Sequence, residues 1–129
     1  MKTTFFLSLF AMTTLFAQVI TIDNQTPYPS SKDNTTIGIQ WASSSPEMEK
    51  KSADHSYQSE GSPEFTIQKN GKTKVTVPDN AKYFCVGVWQ NNDSSPTYVT
   101  SWVKIKPKHV YTIRKEDLYR SNITGGSGC

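Results

Sequence analysis

Between residues 82 and 106 apolar and polar side chains alternate with a two-residue period, the pattern of half-buried β-strands rather than helices. Phe84, Val86 and Val88 stand at one parity, and Tyr83, Cys85, Gly87 and Trp89 at the other. After a polar loop over 91–97 the alternation resumes, with Val99, Val103 and Ile105 set against Tyr98, Thr100, Trp102, Lys104 and Lys106. Matching the apolar rows across a hairpin puts Val88 near Val99 and Phe84 near Val103. The same register sets Trp89 beside Tyr98 and Cys85 beside Trp102 on the opposite face, because a one-residue slip would reverse every side chain.

The same period predicts strands over 19–23 (Ile20, Ile22), 36–43 (Ile37, Ile39, Trp41), 64–69 (Phe65, Ile67), 73–78 (Val75, Val77) and 110–114 (Tyr111, Ile113). Clusters of Pro, Asn, Asp and Ser separate them, notably over 24–34, at Pro78-Asp79-Asn80 and at Pro107-Lys108-His109. At Asn70-Gly71 a two-residue hairpin would oppose core and solvent residues. A three-residue loop 69–71 with Gly71 left-handed pairs Phe65 with Val75 instead; the alternative is that the two strands belong to different sheets. Residues 44–63 carry no strand pattern. Ser44 and Glu47 have capping-box spacing and Pro46 suits a first helical turn, but Met48 stands alone, so a surface loop with one or two helical turns is expected. Together these elements predict an all-β chain: a small antiparallel β-sandwich of about seven strands, with a small β-barrel as the alternative.

The N-terminus changes the domain picture. Lys2 precedes an apolar run over 5–16 that ends at small Ala17, the layout of a cleaved signal peptide. The run is well short of the ~20 residues a spanning helix needs. The organisation expected is a leader over 1–17, a β-sandwich domain over 18–118 and a glycine-rich tail over 119–129, in a secreted or periplasmic protein. Loss of Lys2 lowers the formal net charge from +3 to +2. That is too mild to argue for nucleic acid. In an oxidising compartment the two cysteines, Cys85 and Cys129, are expected to pair as a disulfide.

A search for chemistry finds no zinc-protease, Cys-x-x-Cys, phosphate-loop or nucleophile-elbow motif, so neither catalysis nor a metal or other cofactor is expected. His55 lies in the polar loop and His109 in a turn; a Cys85–His109 dyad is conceivable but poorly placed beside Trp102. The most informative constellation is the ring-bearing parity of the central pair: Tyr83, Trp89, Tyr98 and Trp102, continued by Lys104 and Lys106. Aromatic bodies with polar tips stack on sugars, and lysines beside them hold acidic groups. The competing explanation is that the rings pair across strands for stability, covered by a second sheet or by the 44–63 loop. The expected function is a non-catalytic binding module whose ligand is a glycan or another envelope component. The alternatives are an exported inhibitor that captures a partner protein through the 44–63 loop, and a domain that binds a membrane surface through exposed aromatics. Four Asn-x-Ser/Thr sequons, at Asn24, Asn34, Asn92 and Asn122, read as chance matches in an Asn- and Thr-rich chain.

Overall fold

A computed structural model describes residues 18–54, 67–91, 93 and 95–121. Among these residues the strands are β1 (Val19–Gln25), β2 (Thr35–Ala42), β3 (Gly71–Thr76), β4 (Tyr83–Gln90), β5 (Tyr98–Val99), β6 (Val103–Lys104), β7 (Val110–Arg114) and β8 (Tyr119–Arg120), with an α-helix, α1 (Ser45–Asp54), after β2 and a 3-10 turn (Lys115–Asp117) after β7. They form two sheets and no closed barrel: a three-stranded sheet in the order β3-β1-β7, and a five-stranded sheet in the order β2-β4-β5-β8 with β6 also on β4. The chain is a small β-sandwich.

The core lies between the sheets because the alternating apolar positions of both face inward. Ile20 and Ile22 of β1, Val75 of β3 and Ile113 of β7 meet Ile37 and Ile39 of β2 and Phe84, Val86 and Val88 of β4. At the open end of the core the Tyr111 ring packs edge-on to Phe84, with centroids 4.9 Å apart. The Tyr111 hydroxyl donates to the Lys104 carbonyl at 3.1 Å and accepts from the Lys106 N–H at 2.7 Å, so β7 holds the opposite sheet as well as its own.

Several expectations are corrected. The pairing is not wholly antiparallel, since β1 runs antiparallel to β3 but parallel to β7. The left-handed residue of the 69–71 turn is Asn70 (φ 54°), not Gly71, which opens β3. Among the described residues β3 pairs with β1, and the turn is closed by the Gln68 N–H donating to the Thr73 hydroxyl at 2.9 Å. Phe65 lies outside the described residues. The stretch after Ala42 holds a ten-residue helix, longer than the one or two turns expected. The Ser44 hydroxyl caps it by accepting from the Glu47 N–H at 3.3 Å, while the Glu47 carboxylate reaches back to the Ser43 N–H at 3.0 Å. β8 lies in the stretch read as tail and pairs with β5.

The largest correction concerns the strand over 98–106. Phe84 does pair with Val103, but Val99 sits opposite Gly87 and Tyr98 opposite Val88. Three residue steps on β4, from Gly87 to Phe84, therefore face four on the other side, from Val99 to Val103. The extra residue is a bulge. Thr100 makes it possible: its N–H donates to the Val86 carbonyl at 2.9 Å, and its hydroxyl accepts from the Val86 N–H at 3.0 Å. Above the bulge the faces are exchanged. Tyr98 packs against the inter-sheet core, and Val99 joins Cys85 on the far side.

Asn24 fastens the other end of β1. It is fully buried, with its amide donating to the Tyr28 carbonyl at 2.8 Å and the Gln68 carbonyl at 3.2 Å. Its side-chain oxygen accepts from the Thr26 N–H at 3.0 Å and the Thr26 hydroxyl at 2.6 Å. One side chain thus ties the 26–29 loop to the 67–70 turn, and in the folded domain its amide is closed to glycan attachment. Asn24→Ala leaves these buried partners unsatisfied and is expected to cost about 2–4 kcal/mol. Urea denaturation should show a lower midpoint at unchanged slope.

Candidate functional site

The candidate site is the outer face of the five-stranded sheet, the side turned away from the core. β4 brings Tyr83, Cys85, Gly87 and Trp89 there, and β2 adds Gly38 opposite Gly87 and Gln40 opposite Cys85. Val99, Trp102 and Tyr119 pack around Cys85. The Tyr119 and Ser101 hydroxyls are hydrogen-bonded at 2.6 Å, which holds the strand beyond the bulge against β8.

The centre of this face is covered. Cys85 and Gln40 are fully buried, and Trp89 is only 7% exposed. The Trp89 ring folds back along its own strand over Gly87, where an added Cβ would lie 3.0 Å from Cη2 and 3.2 Å from Cζ3. Pro96 closes over the same spot, 3.5 Å from that position. Trp89 is thus a roof over the paired glycines rather than an open platform. The margin near β6 differs. Tyr83 and Trp102 are half-buried there, Lys104 stands exposed directly opposite Tyr83, and Lys106 follows, also exposed.

Of the six residues expected to form one ligand-binding surface, the fold brings Tyr83, Trp102 and Lys104 to the outer margin with Lys106 beside them. Tyr98 is separated from them by the bulge. It sits on the inner side at the far rim, stacked on Tyr28 at 5.9 Å, with the Arg120 guanidinium 5.7 Å from its ring centre. Burial, then the neighbouring Tyr98 and Asp33, holds the Tyr28 phenol above its ordinary range. The Tyr28 hydroxyl consequently stays a neutral donor past the pH at which a free tyrosine ionises.

Cys85 faces away from the core, whereas the His109 ring lies tilted against Tyr111 with centroids 4.6 Å apart, and Tyr111 packs on the core side against Phe84. The two are thus on opposite sides of β4 and form no dyad. No free cysteine occurs among the described residues; Cys129 and His55 lie outside them. Among the described residues no three His, Cys, Asp or Glu side chains converge as a metal site.

Gln40 was not legible as a special position. It is fully buried, and neither of its amide atoms has a hydrogen-bond partner. The signal that could have found it is the absence of charge: β2 reads TTIGIQWA and β4 reads YFCVGVWQ. Strands without charged residues at either parity are buried on both faces, so a polar side chain among them must find a buried partner or go without.

No family model, curated protein or solved structure matches the chain.

An unpaired buried amide is costly, and methionine has nearly the same length without polar ends. Gln40→Met is therefore expected to stabilise the domain by about 1–3 kcal/mol, measured as a rise in the urea midpoint.

Proposed function

We propose that the protein is an exported, non-catalytic binding module whose outer-sheet margin contacts an acidic glycan of the cell envelope. The observation that carries this reading is the combination at that margin: two half-open aromatic side chains, Tyr83 and Trp102, beside exposed Lys104 and Lys106. Ring faces stack on the apolar faces of sugars, and ammonium groups form charge-assisted hydrogen bonds with carboxylates on them. Trp89 lies outside this margin, its ring filling the space over Gly87. Export rests on the leader, with cleavage after Ala17. In the compartment so reached, buried Cys85 is the partner for a bridge to Cys129.

The test is co-sedimentation of the mature protein with isolated envelope polysaccharide. Tyr83→Ala and the double variant Lys104→Ala/Lys106→Ala are expected to weaken binding about tenfold or more, which corresponds to about 1.4 kcal/mol. Their melting temperatures should stay near that of the parent. The lysine variant should also lose most of the salt dependence. Trp102→Ala serves as a third variant, read together with its melting curve because the ring also packs on Cys85 and Val99. Parent-level binding by both of the first two variants would remove the proposed surface. Mass spectrometry without reductant checks the bridge, which is expected to appear as two missing hydrogens.

A further inference from the structure

Gln18 stands at the foot of β1, and its backbone carbonyl accepts a hydrogen bond from the Val77 N–H at 2.9 Å. Its side chain is exposed at a cleft of about 250 Å³ bordered by Pro78, Asp79, Asn80 and Lys82. Immediately after it the Val19 carbonyl accepts from the Lys108 N–H at 3.3 Å. A chain that begins at Gln18 therefore keeps both anchors at the start of the strand. The only group of Gln18 committed to that bond is its carbonyl.

An N-terminal glutamine with an exposed side chain holds both reactants for a five-membered lactam. The unprotonated α-amino nitrogen attacks the side-chain carbonyl carbon, Cδ, and a new N–Cδ bond closes the ring. The Cδ–Nε2 bond breaks, and Nε2 leaves as ammonia with the proton given up by the amine. No oxidant, reductant or second substrate enters the balance. The α-carbonyl takes no part, so the Val77 bond survives the closure.

We propose that Gln18 is a modification site, closed to pyroglutamate once the leader has been removed. The lactam takes away the terminal ammonium and with it one positive charge beside Lys82 and Lys108. It also leaves no free amine for an aminopeptidase to grip at the end of β1. The inference rests on cleavage after Ala17, as in the reading above.

The experiment is intact-mass analysis, after reduction, of the protein released by a bacterial host that expresses the full chain with its leader. The expected product is residues 18–129 lighter by one ammonia, about 17 Da. It should resist stepwise N-terminal sequencing until treated with pyroglutamyl aminopeptidase. Gln18→Ala should start at the same position, at full mass and with an open amine. Parent protein that starts at Gln18 but keeps its full mass and a reactive amine would overturn the lactam and leave export intact. A product that retains the leader, or starts elsewhere, would overturn both.

Discussion

The hydroxyl of Thr100 stands where a backbone carbonyl would continue the ladder, accepting the Val86 N–H at 3.0 Å. The faces on which Tyr98 and Val99 sit, relative to Trp102, depend on that substitution. With one extra residue absorbed beside Cys85, Trp102 and Val99 share a side of the sheet, and Tyr98 is turned to the other. A threonine is suited to this place because it supplies a short acceptor without giving up its own backbone bond to the Val86 carbonyl. The bulge also separates two tasks. On its β5 side Tyr98 joins Tyr28 and Arg120 at a packed rim, and on its β6 side Trp102 and Tyr83 remain partly open.

Much of the sandwich was legible because a strand period of two is hard to imitate. Ile20, Ile22, Ile37, Ile39, Val75, Phe84, Val86, Val88 and Ile113 all lie in the core where alternation put them. Turns were legible for a related reason. Asn34, Asn70, Asn80 and Asn91 take positive φ, a region that asparagine tolerates better than most residues; Lys108 does the same at φ 58° with no such advantage. The bulge was not legible, since Thr100 looks like any strand threonine until its hydroxyl is seen to replace a carbonyl. Nor was the parallel β1–β7 pairing, which depends on contacts far apart in the chain. As for the candidate site, the parity of Tyr83, Trp89 and Trp102 could be read, but their openness could not. Alternation tells two faces apart without saying whether the second is wet.

Two-sided burial of β2 and β4 goes with small residues at the centre of the outer face. Gly38 and Gly87 face one another, and the Trp89 ring occupies the space their missing side chains leave. The larger sheet is thus buried on both faces at its centre, while toward β6 Tyr83 and Trp102 are half-buried and Lys104 is exposed. Gln40 sits at that centre fully buried, with neither of its amide atoms hydrogen-bonded. The proposed contact margin therefore adjoins a centre in which Cys85, Gln40 and Trp89 are buried.

The parallel pairing of β1 with β7 has a consequence for how the molecule is made. β1 is the middle strand of its sheet, yet its two neighbours are encoded far downstream, the second only at Val110–Arg114. Until that segment has been synthesised, the first strand has only one of its two hydrogen-bonding edges filled. Closing such distant contacts is slow relative to local ones. A nascent chain with this topology cannot complete its smaller sheet until nearly the whole domain has been made.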